Sequence, residues 1–210
     1  MSRSLAFFGA FNPPTRAHID LAEFALQETG SKDVIFVPSK STYITEDQKK
    51  SFAFSDEDRI DMLKRIADNR SWMRWTDVEM RQSEQPRTYN TLCMLRDLGE
   101  TPSLLLGADK LEELEHLWRN VNKIAEEFGI VCMDRGDINC ESVIQNSPFL
   151  TSLNIRVVHV PPAYKNISSS QIRASLLQLY NVQKTLQGLL PQELTDLPVN
   201  LLEREIINNH

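Results

Sequence analysis

Short apolar runs recur along the chain, with helical stripes between them. Residues 5–8, 34–37, 73–78, 104–106, 129–133 and 155–160 are rich in Val, Ile, Leu, Phe and Met. Runs of this kind, bounded by turn residues, predict strands buried on both faces. Between them, apolar residues fall at helical spacing: Ile19, Ala22, Ala25 and Leu26, then Ile60, Leu63, Ile66 and Ala67, then Leu111, Leu114, Leu117 and Trp118. A further helix opens near Pro86 and carries Leu92. Strands that alternate with helices predict an α/β fold, a doubly wound parallel sheet covered on both faces. Ligands of such sheets bind outside the carboxyl ends of the strands, where the strand order reverses.

Punctuation sharpens the picture. Pro38 stops the second strand and Pro161-Pro162 the sixth. Ser55, followed by Asp56, Glu57 and Asp58, reads as a capped helix start with acid at the positive end of the dipole. Residues 39–54 are polar and irregular, a length usually reserved for functional or mobile loops. The lysines there (Lys40, Lys49, Lys50) read equally as solvated charges or as phosphate contacts. Residues 137–153 give weak signals, enough for one short helix.

The first strand runs into Gly9-Ala10-Phe11-Asn12-Pro13-Pro14-Thr15-Arg16-Ala17-His18. A glycine permits a sharp turn and a close ligand approach, the prolines end the ladder, and Thr15 is a plausible N-cap. Thr15 and His18 are three apart, so they share a face of the first helical turn. Strand, turn and helix N-terminus together aim backbone N–H groups at an anion. His18 adds a donor for charge building on a phosphate, so this is a candidate phosphate site.

Composition narrows the class. The chain has 210 residues, 41% hydrophobic and 25% charged, ordinary values for a globular α/β protein. A net charge of −6 argues against general binding to nucleic acid or an anionic membrane. Cys93, Cys132 and Cys140 have neither disulfide-framework nor zinc spacing, which points to a reducing cytoplasm. The apolar start is too short for a secretory leader and is broken by Asn12-Pro13-Pro14.

The decapeptide resembles the GxFxPxHxGH signature of the adenylyltransferase superfamily in its (H/T)xGH form, with Ala17 where Gly is usual. That superfamily includes nicotinate-mononucleotide and phosphopantetheine adenylyltransferases, and Thr15 is the variant typical of the latter. A second motif, Asn166-Ile167-Ser168-Ser169-Ser170-Gln171-Ile172-Arg173, resembles the family's ISSTxIR. Serines at a helix start offer hydroxyls and free N–H groups to phosphate oxygens. Arg173, three residues after Ser170, can reach the same anion. The resemblance spans nearly the whole chain. It implies a Rossmann-like nucleotidyltransferase fold of strand order 3-2-1-4-5, with an α/β core over residues 1–165 and a helical portion over 166–210 of a single domain. The family's Pro-Pro-His-Lys element is missing from the 39–54 loop.

Site roles follow from the resemblance. His18, Thr15 and Arg173 are the expected catalytic residues. Gly9, Ala10, Phe11, His18, Gly107, Asp109, Arg135, Ile167, Ser168, Ser170 and Arg173 are expected at ATP. Asp109, in the glycine turn after a strand, holds the sugar or merely caps a helix from Lys110. Asn12, Thr88, Trp118, Arg119 and Arg87 are expected at the acceptor. Trp118 would stack on a pyridine ring, and Thr88 would meet a carboxylate beside the backbone N–H of Arg119. Thr88 as an N-cap and Trp118 as core are equally open. Arg87 and Pro86 stand where nicotinate-mononucleotide enzymes carry Tyr and Ser. His116 reads as a surface residue.

The implied reaction is adenylyl transfer from ATP to nicotinate mononucleotide, releasing pyrophosphate, with Mg2+ brought by ATP and no protein metal site. Phosphopantetheine adenylyltransferase, a class I aminoacyl-tRNA synthetase and a non-catalytic nucleotide-binding module are the rivals. The partners expected are ATP and a pyridine mononucleotide, not nucleic acid or a membrane.

Overall fold

The computed structural model describes residues 3–50, 53–134, 138–160 and 189–195. Its centre is a six-stranded parallel sheet in the order β3-β2-β1-β4-β5-β6. The strands are β1 (Ser4–Gly9), β2 (Val34–Pro38), β3 (Met73–Trp75), β4 (Pro102–Gly107), β5 (Ile130–Met133) and β6 (Arg156–Val158). The helices are α1 (Arg16–Thr29), α2 (Asp56–Ala67), α3 (Thr88–Asp97), α4 (Leu111–His116), α5 (Val121–Lys123), α6 (Cys140–Gln145) and α7 (Pro148–Ser152). Helix α5 widens into a π turn over Ile124–Phe128. The doubly wound parallel sheet expected from the alternation is present, and the expected order gains β6 at its edge.

Period-two side chains sort the core into two layers. Leu5, Phe7, Val34, Phe36, Leu105, Val131 and Met133 pack beneath Ile19, Ala22 and Ala25 of α1 and Met62, Leu63 and Ile66 of α2. Their neighbours Ala6, Ile35, Val37, Leu104, Leu106, Ile130 and Cys132 pack on the opposite face with Leu92 and Leu95 of α3, Leu111 and Leu114 of α4, and Cys140 and Leu150. Each fully buried Phe or Leu contributes about 1.5–3 kcal/mol by transfer from water. Leu190 and Leu194 join the first layer, and Glu193 pairs with Arg70 at the end of α2.

Four expectations need correction. Strand β3 stops at Trp75 because, after one more ladder bond (Thr76 N to Phe36 O, 3.0 Å), the chain winds into a turn in which Arg81 N donates to Asp77 O. The buried stripe of α2 is Arg59, Met62, Leu63 and Ile66, with Ile60 and Ala67 only half-buried. Helix α4 ends at His116 because the Leu117 and Trp118 N–H groups both donate to Glu113 O, at 2.8 and 3.0 Å. Leu117 is consequently 68% exposed. The stretch expected to hold one short helix holds α6 and α7, capped by the Asn139 and Ser147 side chains.

Candidate active site

Strand order reverses between β1 and β4, and both their carboxyl ends carry a glycine. The β1–β4 register ends at Phe7 opposite Leu105, so Gly9 and Gly107 each lie two residues further on. Gly9 pairs with Pro38 on one flank and Gly107 with Met133 on the other. Helices α1, α3 and α4 follow strand carboxyl ends, so their first turns gather along this edge.

Helix α1 opens with a capping box in which a histidine takes the place of the usual Glu or Gln. His18 N donates to Thr15 Oγ1 (3.3 Å), and Thr15 N donates back to His18 Nδ1 (3.0 Å). Thr15 Oγ1 also lies 2.9 Å from Nδ1. Because Nδ1 accepts a backbone N–H, the hydrogen-bond network assigns the ring proton to Nε2. Rings bracket the imidazole: Phe11 meets it edge-on at 5.2 Å between centroids, and Phe7 lies at 6.3 Å. Thr15 itself is fully buried. Its hydroxyl accepts from His18 N and lies against Nδ1, so Thr15 orients the ring.

The turn before α1 is shaped differently from the sequence expectation. Phe11, not Gly9, adopts the left-handed backbone, at φ 42°. Gly9 is needed for room: a Cβ there would lie 3.1 Å from the Phe11 ring, which folds back over it. Asn12 has no exposed surface, and its Oδ1 accepts from Phe54 N at 2.8 Å. It therefore anchors the turn to the chain before α2 instead of presenting its amide at the surface.

Arg59, on the buried stripe of α2, is the anchor that sequence reading missed. Its guanidinium donates to Phe54 O (3.2 Å), Ala10 O (2.8 Å) and Asp56 Oδ1 (2.6 Å). Asp56 Oδ1 in turn accepts from Ser41 N at 2.7 Å. Burial pushes the Arg59 pKa down and Asp56 opposes it. One side chain thus ties together the β1–α1 turn, the 53–55 segment and the loop after β2. The periodicity of α2 places position 59 with Met62, Leu63 and Ile66, and that was the available signal.

A second buried network holds the approach to α3. Glu79 is 2% exposed. Its Oε1 accepts from Thr91 Oγ1 (2.7 Å) and its Oε2 from Gln85 Nε2 (2.5 Å). Burial pushes its carboxyl up to about 7, and the bonds from Thr91 and Gln85 pull the other way. Gln85 Oε1 accepts from Lys40 N, while Lys40 Nζ donates to the Met80 and Gln82 carbonyls. Lys40 is therefore a brace for residues 79–85, neither a solvated charge nor a free phosphate contact.

At the start of α3, Arg87 rather than Thr88 occupies the N-cap, and Thr88 is the half-buried first residue. Arg87 is exposed, as is Arg119. Trp118 lies past the end of α4, half-buried, with its indole Nε1 3.5 Å from Glu113 Oε2. Asp109 is exposed in a 3-10 turn after β4, and Lys110, not Asp109, is the N-cap of α4. His116 is exposed, as expected. Arg135, Ile167, Ser168, Ser170 and Arg173 lie outside the described residues.

Beyond β5, Asp134 accepts from Cys140 N (3.0 Å) and pairs with His159 Nδ1 (2.8 Å), whose Nε2 lies 3.3 Å from Glu141. The bond to Asp134 raises the His159 pKa. The thiols of Cys132 and Cys140 meet at 3.1 Å, a contact their spacing did not announce. Among the described residues, no three His, Cys, Asp or Glu side chains converge on a metal position.

The structure thus sets an oriented histidine on the first helical turn at the switch point of a parallel α/β sheet. The sequence pattern of the cytidylyltransferase-like family matches residues 6–175, so the chain belongs to that family and is a nucleotidyltransferase. A probable nicotinate-nucleotide adenylyltransferase of Aquifex aeolicus is 31% identical over 133 residues, 62% of this chain and 76% of that protein. One of Clostridium acetobutylicum is 26% identical over 202 residues, covering 94% of this chain and 96% of the relative. The structure of Plasmodium falciparum nicotinic acid mononucleotide adenylyltransferase complexed with NaAD superposes with a TM-score of 0.73 at 20% identity, over 97% of this chain and 96% of that one. The family resemblance read from the motifs is borne out, and so is the fold.

Proposed function

We propose that the chain transfers the adenylyl group of ATP to nicotinate mononucleotide, giving deamido-NAD and pyrophosphate. The observation that carries the reading is His18, locked by Thr15 with its proton on Nε2, at the carboxyl end of β1 where the strand order reverses. The names of the relatives support the acceptor. A phosphate oxygen of the mononucleotide attacks the α-phosphorus, the bond to the bridging oxygen breaks, and pyrophosphate leaves. The nucleophile is already an anion, so positioning and charge stabilisation carry catalysis.

In this reading His18 donates from Nε2 to the α-phosphate, and backbone groups of Gly9, Ala10 and Phe11 shape the phosphate bed. Asp109, just past Gly107, takes the ribose hydroxyls. Arg173 with Ser168, Ser170 and the backbone of Ile167 holds the β- and γ-phosphates, and Arg135 supports the nucleotide. Thr88 and the backbone of Arg119 receive the nicotinate carboxylate, Trp118 offers a face to the pyridine, and Arg87 adds positive charge. Asn12 and Thr15 act by holding the turn and the ring. Magnesium arriving with ATP supplies charge neutralisation on the phosphates when bound. The whole chain acts as one cytoplasmic domain.

The test is pyrophosphate release from ATP with nicotinate mononucleotide, nicotinamide mononucleotide and phosphopantetheine in parallel. Preference for nicotinate mononucleotide is expected. Equal use of both pyridine nucleotides would remove the carboxylate argument, and activity on phosphopantetheine alone would overturn the acceptor.

A further inference from the structure

A continuous chain of bonds links the phosphate turn to the start of α3. Gly9 O accepts from Ser39 N (3.0 Å), and the next residue, Lys40, donates its N–H to Gln85 Oε1 (2.8 Å). Gln85 Nε2 donates to Glu79 Oε2, and Glu79 Oε1 accepts from Thr91 Oγ1. Thr91 stands three residues after Thr88, hence on the same face of the same helix. Residues 79–85 are closed on themselves by Lys40 Nζ, so the chain of bonds has little slack.

We propose that Glu79 is a positioning residue for the acceptor: through Thr91 it fixes where Thr88 sits relative to the turn that carries His18. The inference rests on the acceptor role given above to Thr88. A carboxylate suits the task because it accepts from two donors at once with its two oxygens. Gln85 is the complementary piece, since its amide accepts from Lys40 and donates to Glu79. An acceptor phosphate must meet the α-phosphorus in line, so a small displacement of Thr88 costs much more than its own contact.

The substitutions follow from the donor and acceptor count. Glu79→Met removes the shared acceptor, leaving the Thr91 hydroxyl with only the longer contact to Arg87 O (3.5 Å) and the half-buried Gln85 amide without its carboxylate. Thr91→Val keeps volume and removes only the hydroxyl link. Glu79→Gln keeps both links if Thr91 turns its hydroxyl to accept, and Thr91→Ser keeps the hydroxyl, so these two are the conservative pair.

With the purified full chain, the KM for nicotinate mononucleotide should rise about five- to tenfold in Glu79→Met and Thr91→Val. The KM for ATP should stay within about twofold, and Glu79→Gln and Thr91→Ser should return close to the parent. An unchanged acceptor KM in Thr91→Val, or parallel changes in both KM values, overturns the inference. Thr88→Ala separates the two readings. If it leaves the acceptor KM unchanged, the acceptor role of Thr88 fails. If it raises that KM while Thr91→Val does not, only the positioning role of Glu79 fails. Should Glu79→Met not fold, the isosteric Thr91 variant carries the test alone.

Discussion

The two flanks of the switch point are built on different principles. On the β1–β2–β3 flank the polar side chains nearest the turn are bound to backbone: the buried Arg59 to Ala10 and Phe54, Asn12 to Phe54 and Thr15 to His18, and the half-buried Lys40 to Met80 and Gln82. On the β4–β5–β6 flank Asp109 and Arg119 are exposed, and His159, bound to Asp134 and Glu141, is 59% exposed. Buried charged donors to carbonyls are worth more and leave a larger debt when cut, because the orphaned acceptor has no water. Exposed pairs are screened and contribute little. On the proposed reading, the flank that orients the reacting group is the one fastened from inside.

His18 gives the sharpest break. His18→Ala removes the donor but leaves Arg59, Asn12 and the turn in place. Turnover should fall by roughly 10²–10³, or about 2.7–4 kcal/mol, while ATP affinity measured by titration stays near that of the parent. Near-normal turnover would deny the anchored flank its catalytic purpose.

Arg59→Met tests the anchoring itself. It preserves much of the apolar stem and orphans two carbonyls, while Asp56, itself partly exposed, loses its cation. Chemical denaturation should show a loss of about 2–3 kcal/mol. Turnover should drop with it, because Ala10 belongs to the turn ahead of His18. A stability change below about 0.5 kcal/mol would put this flank on a par with the other.

These two residues also mark what the sequence can and cannot tell. The strands were legible because β1, β2, β4 and β5 are uninterrupted apolar runs, buried on both faces. That Thr15 caps α1 and shares a face with His18 was legible because a cap and its third residue have a fixed spacing; the bond between their side chains was not. Arg59 was not, since a charged residue inside an apolar stripe reads as solvent-facing until its carbonyl partners are seen. Glu79 with Thr91, and Cys132 with Cys140, are contacts made by the tertiary fold, with no local rule behind them. The extent of α4 was misread because leucines at helical spacing continue past the point where Glu113 O takes two donors. Asn120 then turns left-handed, at φ 60°. For Arg135 and the serine–arginine motif, the sequence is the source of the assignment.

Gly9→Ala probes the same flank more gently. The added methyl would press on the Phe11 ring at 3.1 Å, and that ring is 1% exposed and meets His18 edge-on at 5.2 Å between centroids. Overpacking of this size costs about 1–2 kcal/mol. Because the ring that must give is the one that brackets the imidazole, turnover should fall further than stability predicts. Thermal unfolding and turnover measured together check this, and a change in stability alone would separate Phe11 from the placement of His18.

The smallest effect belongs to the open flank. The bond from Asp134 raises the His159 pKa. Against burial, the bonds from Cys140 and His159 hold Asp134 below its ordinary value. A histidine with a raised pKa stabilises the fold below its unfolded value, about 6.5, and that stabilisation disappears as pH rises through the folded value. The depressed Asp134 contributes in the opposite sense, losing its share as pH falls through its own folded value. The pair therefore acts between the two titrations. With the ring 59% exposed, solvent screening limits it to about 0.5 kcal/mol. The unfolding midpoint of His159→Gln should lie slightly below that of the parent near about pH 5.5, and the two should converge by about pH 8. A gap that persists at alkaline pH, or one as large as that of Arg59→Met, would show this flank to be fastened like its neighbour.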